Sequence, residues 1–232
     1  MKRSQVFILA CVPMLILSLW ALIYDISWLS NVAELSAYFI LLAGFYRKLN
    51  LKSLNVSLFL GFSVIAEILG FFNDTQYTGL MLMFFQMASY VFLTREAHRY
   101  TERETANRFM ILFFLMMIGA NCFFVYRHFQ ELESKIAGIV EFGFYSLYYL
   151  NLLVLVIVGL IYYLNSYSRK SVLFVTLVMA IVVADILRDM SVFYLPDTSV
   201  LLLKSFLQFS AIILAFKFYS TKERKLKLIN LV

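Results

Sequence analysis

The amino-acid sequence predicts an all-α, polytopic membrane protein: eight transmembrane helices in a single domain over residues 1–232. Three observations lead there. Hydrophobic residues make up 62% of the chain and charged residues only 15%, against roughly 25% charged residues in a soluble domain. Apolar segments long enough to cross a bilayer recur from one end of the chain to the other. When those segments alternate across a membrane, sixteen of the twenty Lys and Arg residues fall on one side.

The first segment, Gln5–Tyr24, follows Lys2 and Arg3. Its apolar part is too long for a secretory leader and no small-x-small cleavage site follows, so it is expected to span the membrane with a kink at Pro13. Ser30–Tyr46, Leu51–Phe72 and Tyr77–Thr94 come next. The stretch Arg95–Asn107 alternates in charge and is expected to be a solvated helical connector. Beyond it lie Arg108–Tyr126, Ala137–Leu164, Ser171–Tyr194 and Ser199–Phe218. An even number of spans places both termini on the cytoplasmic side, with Arg169 and Lys170 in an inside loop and only Arg127 and Lys135 in outside loops. The basic residues therefore mark orientation, and no nucleic-acid partner is expected. Cys11 and Cys122 sit in separate spans and His98 has no second ligand nearby, so neither a disulfide, a metal nor a cofactor is expected.

The costly residues are the informative ones. An ionised Asp at mid-membrane costs roughly 2.5–3.5 kcal/mol even on the lenient insertion scale, so a chain keeps one where the protein interior uses it. Ala184-Asp185-Ile186-Leu187 carries such a group, with Arg188 one helical turn away, and Ala66-Glu67-Ile68-Leu69 repeats the same words. A glutamine follows each in the next apolar segment, Gln86 and Gln208. Division at the connector gives halves 1–107 and 108–232, and the even helix count of each half makes this a parallel 4+4 repeat. Glu34, Glu67, Glu141, Asp185, Arg188 and Lys204 all fall in the outer halves of their segments, which predicts one outward-facing polar pocket. Helical spacing puts Ser63 with Glu67, Asp185 with Arg188 and Asp189, and Lys204 with Gln208 on shared faces. The aromatic run Phe142–Tyr149 offers hydroxyls to a polar head group, although tyrosines also gather at membrane interfaces for solvation alone. No phosphate loop, zinc motif, nucleophile elbow or dinucleotide fingerprint is present, so any chemistry falls to carboxylates, amides and hydroxyls. A purely structural reading competes, in which the charged pairs only fix helix packing.

Phe62-Ser63-Val64-Ile65-Ala66-Glu67, then Gly79-Leu80 with Tyr90, then Ala184-Asp185, then Gln208, in this order and layout, resemble the motifs of the lysoplasmalogenase-like (YhhN-type) membrane family. Three positions depart from that pattern: Ala66-Glu67 replaces Gly-Asp, Met87 replaces a His, and Ala184-Asp185 replaces Ser-Asp. The resemblance implies eight helices with cytoplasmic termini and hydrolysis of the vinyl-ether bond of a lysophospholipid. It implies Glu67 and Asp185 as the catalytic pair. Arg188 beside Asp185 makes the latter the base and Glu67 the acid, as in paired-carboxylate hydrolysis of glycosides. Ser63, Gln86, Tyr90, Tyr149, Arg188 and Gln208 would contact the substrate, a lysophospholipid or another amphiphile drawn from the membrane. The alternative is a transporter or sensor that binds a lipid-like small molecule in the same pocket without chemistry.

Overall fold

A computed structural model describes residues 3–72, 76–101, 108–136, 138–166 and 168–223. They form eight helices: α1 (Arg3–Ile23), α2 (Ser27–Phe45), α3 (Leu54–Gly70), α4 (Gln76–Tyr100), α5 (Arg108–Glu133), α6 (Ile139–Ser166), α7 (Arg169–Phe193) and α8 (Thr198–Ser220). In lipid every backbone N–H and C=O needs a partner within the protein, and a helix supplies those partners locally. Of the eight, α1, α2, α4, α6, α7 and α8 are long and apolar enough to cross a membrane. Pro13 lies inside α1 as expected.

Helix ends shift by one to three residues in several segments, and three differences matter most. The segment predicted as Leu51–Phe72 loses residues at both ends to turns, leaving α3 with 17 residues. α5 continues past Tyr126 to Glu133 and so absorbs Arg127. The predicted connector begins as helix, since Arg95–Tyr100 complete α4; residues 102–107 lie outside the described residues. Lys170 is also not a solvated loop cation. It is buried in the first turn of α7, with its Nζ 3.5 Å from the centre of the Tyr100 ring, where the ring face takes the place of water.

Six helices close a ring in the order α2, α3, α4, α6, α7, α8, each packed on the next and α8 packed back on α2. α1 lies outside the ring against α2 and α8, and α5 lies outside against α6. The pattern is the same in each half: the first helix packs on the second, the third on the fourth, and the fourth on the second helix of the other half. α1 and α2 approach closely at Gly44, where a Cβ would stand 2.5 Å from the Phe7 side chain. Large apolar side chains such as Leu9, Ile16, Met116, Phe124 and Met179 point outward and stay exposed, as a lipid-facing surface requires.

Among the described residues, two helix starts are capped by side chains. Ser168 and Ser171 form a reciprocal capping box at α7. Asp197 accepts the Ser199 N–H at 2.7 Å at α8, and that hydrogen bond holds its exposed carboxyl below the ordinary aspartate value.

Candidate functional site

The ring encloses a cavity of about 780 Å³. It runs inward from the end of the bundle where α3 and α7 finish and α2, α4, α6 and α8 begin. Glu34, Glu67, Glu141, Asp185, Asp189, Arg188 and Lys204 all line it, so five carboxyl groups meet two cations there. Asp185, Arg188 and Asp189 share a face because they are three and four residues apart on α7, and the ring turns that face away from lipid.

One wall, built by α4, α6 and α7, is centred on Arg188. Its Nη1 lies 3.3 Å from Asp185 Oδ1 and donates to Gln86 Oε1 at 2.9 Å, while its Nε donates to Asp189 Oδ1 at 3.0 Å. The guanidinium also stands 5.0 Å from the centre of the Tyr148 ring. Asp185 Oδ2 accepts hydroxyl protons from Tyr148 at 2.6 Å and Tyr90 at 3.1 Å. Asp189 accepts a further hydrogen bond from the Tyr149 hydroxyl. Asp185 thus carries two hydroxyl donors and a guanidinium, a complement that suits an ionised carboxylate. One donor is left over: Arg188 Nη2 is buried with no partner among the described residues.

The facing wall, built by α2, α3 and α8, is sparsely bonded. Glu67, in the last turn of α3, accepts from Gln208 Nε2 at 3.0 Å. Glu34 is only 2% exposed and accepts from Ser205 Oγ at 3.3 Å. Ser205 is in turn 2.9 Å from Ser18, which reaches Ser30 at 2.7 Å, so a serine chain ties α1, α2 and α8 behind this carboxylate. Glu34 and Lys204 line the same cavity as Glu67, and Tyr38 and Ser63 line it with them. Lys204 makes no ion pair or hydrogen bond among the described residues.

Seven of the residues singled out from sequence line the cavity: Ser63, Glu67, Gln86, Tyr90, Asp185, Arg188 and Gln208. Tyr149 does not. Its ring packs edge-on against His128, 4.4 Å between centres, and against Phe129, while its hydroxyl reaches Asp189 from behind the wall. Helix geometry separates the two tyrosines: neighbours differ by about 100° in direction, so Tyr148 bonds Asp185 while Tyr149 bonds Asp189. The glutamines also pair across the halves. Gln208 bonds Glu67, and Gln86 is bound by Arg188 beside Asp185, so each amide serves the acid of the other half. Glu34, Tyr38, Tyr148 and Asp189 complete the site. Glu34 and Asp189 had a signal, as charges inside spans, and Tyr148 as part of the hydroxyl-bearing run Phe142–Tyr149; Tyr38 had none beyond its type.

At the position where the resemblance calls for a His, Met87 is half-buried on the core, and its backbone carbonyl accepts from Asn151 Nδ2 at 2.9 Å. Among the described residues no group of three His, Cys, Asp or Glu side chains is placed to hold a metal, and Cys11 and Cys122 are both free thiols. The chain matches no family model, no curated protein and no solved structure.

Proposed function

We propose that the cavity receives the head region of a lysophospholipid-type amphiphile and hydrolyses its vinyl-ether bond. The observation that carries this reading is the meeting of Glu67 and Asp185 in one cavity with different partners: Asp185 held by two hydroxyls and a guanidinium, Glu67 by one amide. In the reaction, the Glu67 carboxyl gives its proton to the vinyl carbon remote from oxygen, and the carbon bonded to oxygen becomes an oxocarbenium centre. Anionic Asp185 stabilises that cation and takes a proton from the water that attacks it. The hemiacetal then collapses to a fatty aldehyde and the head-group alcohol: its O–H proton returns to Glu67, and protonated Asp185 gives its proton to the leaving oxygen. Five carboxyl groups around the cavity favour a head group that brings an amine, and the open Nη2 of Arg188 offers a donor to a phosphate or ether oxygen.

The bilayer orientation belongs to the same proposal. With both termini cytoplasmic, the cavity opens toward the outer leaflet, and the 4+4 arrangement presents the two acids from opposite walls. Purified protein in detergent is expected to release aldehyde from a lysoplasmalogen, and Asp185→Asn and Glu67→Gln are expected to stop that release while leaving a monodisperse, folded protein. Met87 favours a second reading, because a thioether transfers no proton. If wild-type protein binds the lipid but releases no aldehyde, and both variants change only the binding, the cavity is a receptor or transport site and the hydrolase reading is wrong.

A further inference from the structure

At the end of the bundle opposite the cavity, the turn before α3 and the last turns of α4 enclose a second pocket of about 280 Å³. Lys52, Arg95 and Arg99 line it beside Asn50, Ser53 and Asn55, and no carboxyl group is among the lining residues. Arg95 and Arg99 are one helical turn apart and so project from one face of α4. Glu96, between them in sequence, turns the other way: it is 3% exposed and accepts from Asn55 Nδ2 at 2.8 Å in the core. None of the three cations makes an ion pair among the described residues. Three like charges from two chain segments therefore converge on one concavity, and the nearby Glu96 carboxyl is held behind the lining residue Asn55. The amide groups of the first turn of α3 add donors, since Ser53 makes no side-chain capping bond to them.

We propose that this pocket binds a phosphate group, and that its source is an anionic membrane lipid. Two guanidinium forks and an ammonium can share the two unesterified oxygens of a lipid phosphodiester, which arginine bonds in pairs. The pocket sits where two membrane helices end, which is head-group depth, and basic pockets at that depth hold anionic head groups. A zwitterionic lipid fits less well, because its amine would enter the same positive field. This site is separate from the cavity and does not depend on what the cavity does.

The test is a thermal unfolding titration of the purified full chain in neutral detergent, with phosphatidylglycerol, phosphatidylcholine or inorganic phosphate as the added probe. Phosphatidylglycerol is expected to raise the midpoint with saturation, and the midpoint gain is expected to shrink as salt rises. Arg95→Gln and Arg99→Gln are each expected to weaken the apparent affinity by roughly fivefold, and Lys52→Gln by a similar factor. Because all three side chains are exposed, the variants should unfold at the wild-type midpoint without lipid, and Lys52→Gln, on a turn, serves if a helix variant does not. A response to inorganic phosphate that equals the lipid response would overturn the lipid source while keeping the phosphate site. Equal responses to phosphatidylglycerol and phosphatidylcholine, or a response unchanged in all three variants, would overturn the site itself.

Discussion

The two walls of the cavity hold similar residues in opposite states of satisfaction. On the α4–α6–α7 wall, Asp185, Asp189, Arg188, Gln86 and three tyrosine hydroxyls bond one another, and among the described residues one buried guanidinium nitrogen is left without a partner. On the α2–α3–α8 wall, Glu34 and Glu67 accept one hydrogen bond each from Ser205 and Gln208 among the described residues, and Lys204 makes no ion pair or hydrogen bond within 4 Å there. The difference separates what a membrane protein needs in order to keep charges inside from what it keeps open for a ligand. A buried ion pair with every lone pair used rigidifies its helices. A buried carboxylate with room around it is the group a substrate can reach.

The largest effect should come from the saturated wall. Arg188→Met leaves two buried carboxylates without their cation, and loss of one partner of such a pair costs on the order of 3–5 kcal/mol, read as a drop in the unfolding midpoint. A small change there would mean that the wall is not load-sharing and the contrast is empty. Glu67→Gln should do the reverse. Aldehyde release should fall by about 10²- to 10⁴-fold while stability stays within about 1 kcal/mol of wild type, because Gln208 can still bond the new amide. A stability loss equal to that of Arg188→Met would make the two walls alike.

Tyr148→Phe removes a hydroxyl donor to Asp185 Oδ2 and is expected to cost about 1.5–3 kcal/mol, the range for a hydrogen bond to a charged group. Ser205→Ala, on the sparse wall, should cost closer to about 1 kcal/mol, since the donor it removes is neutral and Glu34 keeps its position on α2. Asp197→Ala, outside both walls, should give the smallest change. Its effect is also the one with a defined pH sign. The depressed carboxyl favours folding above the ordinary aspartate value near about 3.9 and loses that contribution as pH falls through its lower folded value. The wild-type and variant midpoints should therefore converge in acid.

The helices and the costly residues were legible because hydropathy and rarity are both properties of single positions. Glu67, Asp185 and Arg188 could be found as charges in apolar runs, and Ser63, Gln86 and Gln208 by spacing and repeat. What could not be read is who faces whom. The repeated words mark Glu67 and Asp185 as equivalent, yet equivalence does not say that each glutamine crosses to the other half. In the run Phe142–Tyr149 every residue is large and apolar or aromatic, apart from Gly143 and Ser146, so no polar contrast sets the phase, and the choice between Tyr148 and Tyr149 rests on 100° of rotation. The serine chain Ser18–Ser30–Ser205 involves three small residues on three helices, each unremarkable alone.

The shortness of α3 sets the depth at which the candidate acid meets water. Seventeen residues rise about 26 Å, less than a hydrocarbon core of about 30 Å, and tilt only shortens that reach. On the reading that α3 spans the bilayer with its neighbours, Glu67 in the last turn of this short helix lies where hydrophobic mismatch brings the polar boundary of the membrane inward. Bilayer thickness thereby becomes a variable of the site: thin membranes wet Glu67 freely, while each added ångström of acyl chain must be met by local thinning around α3.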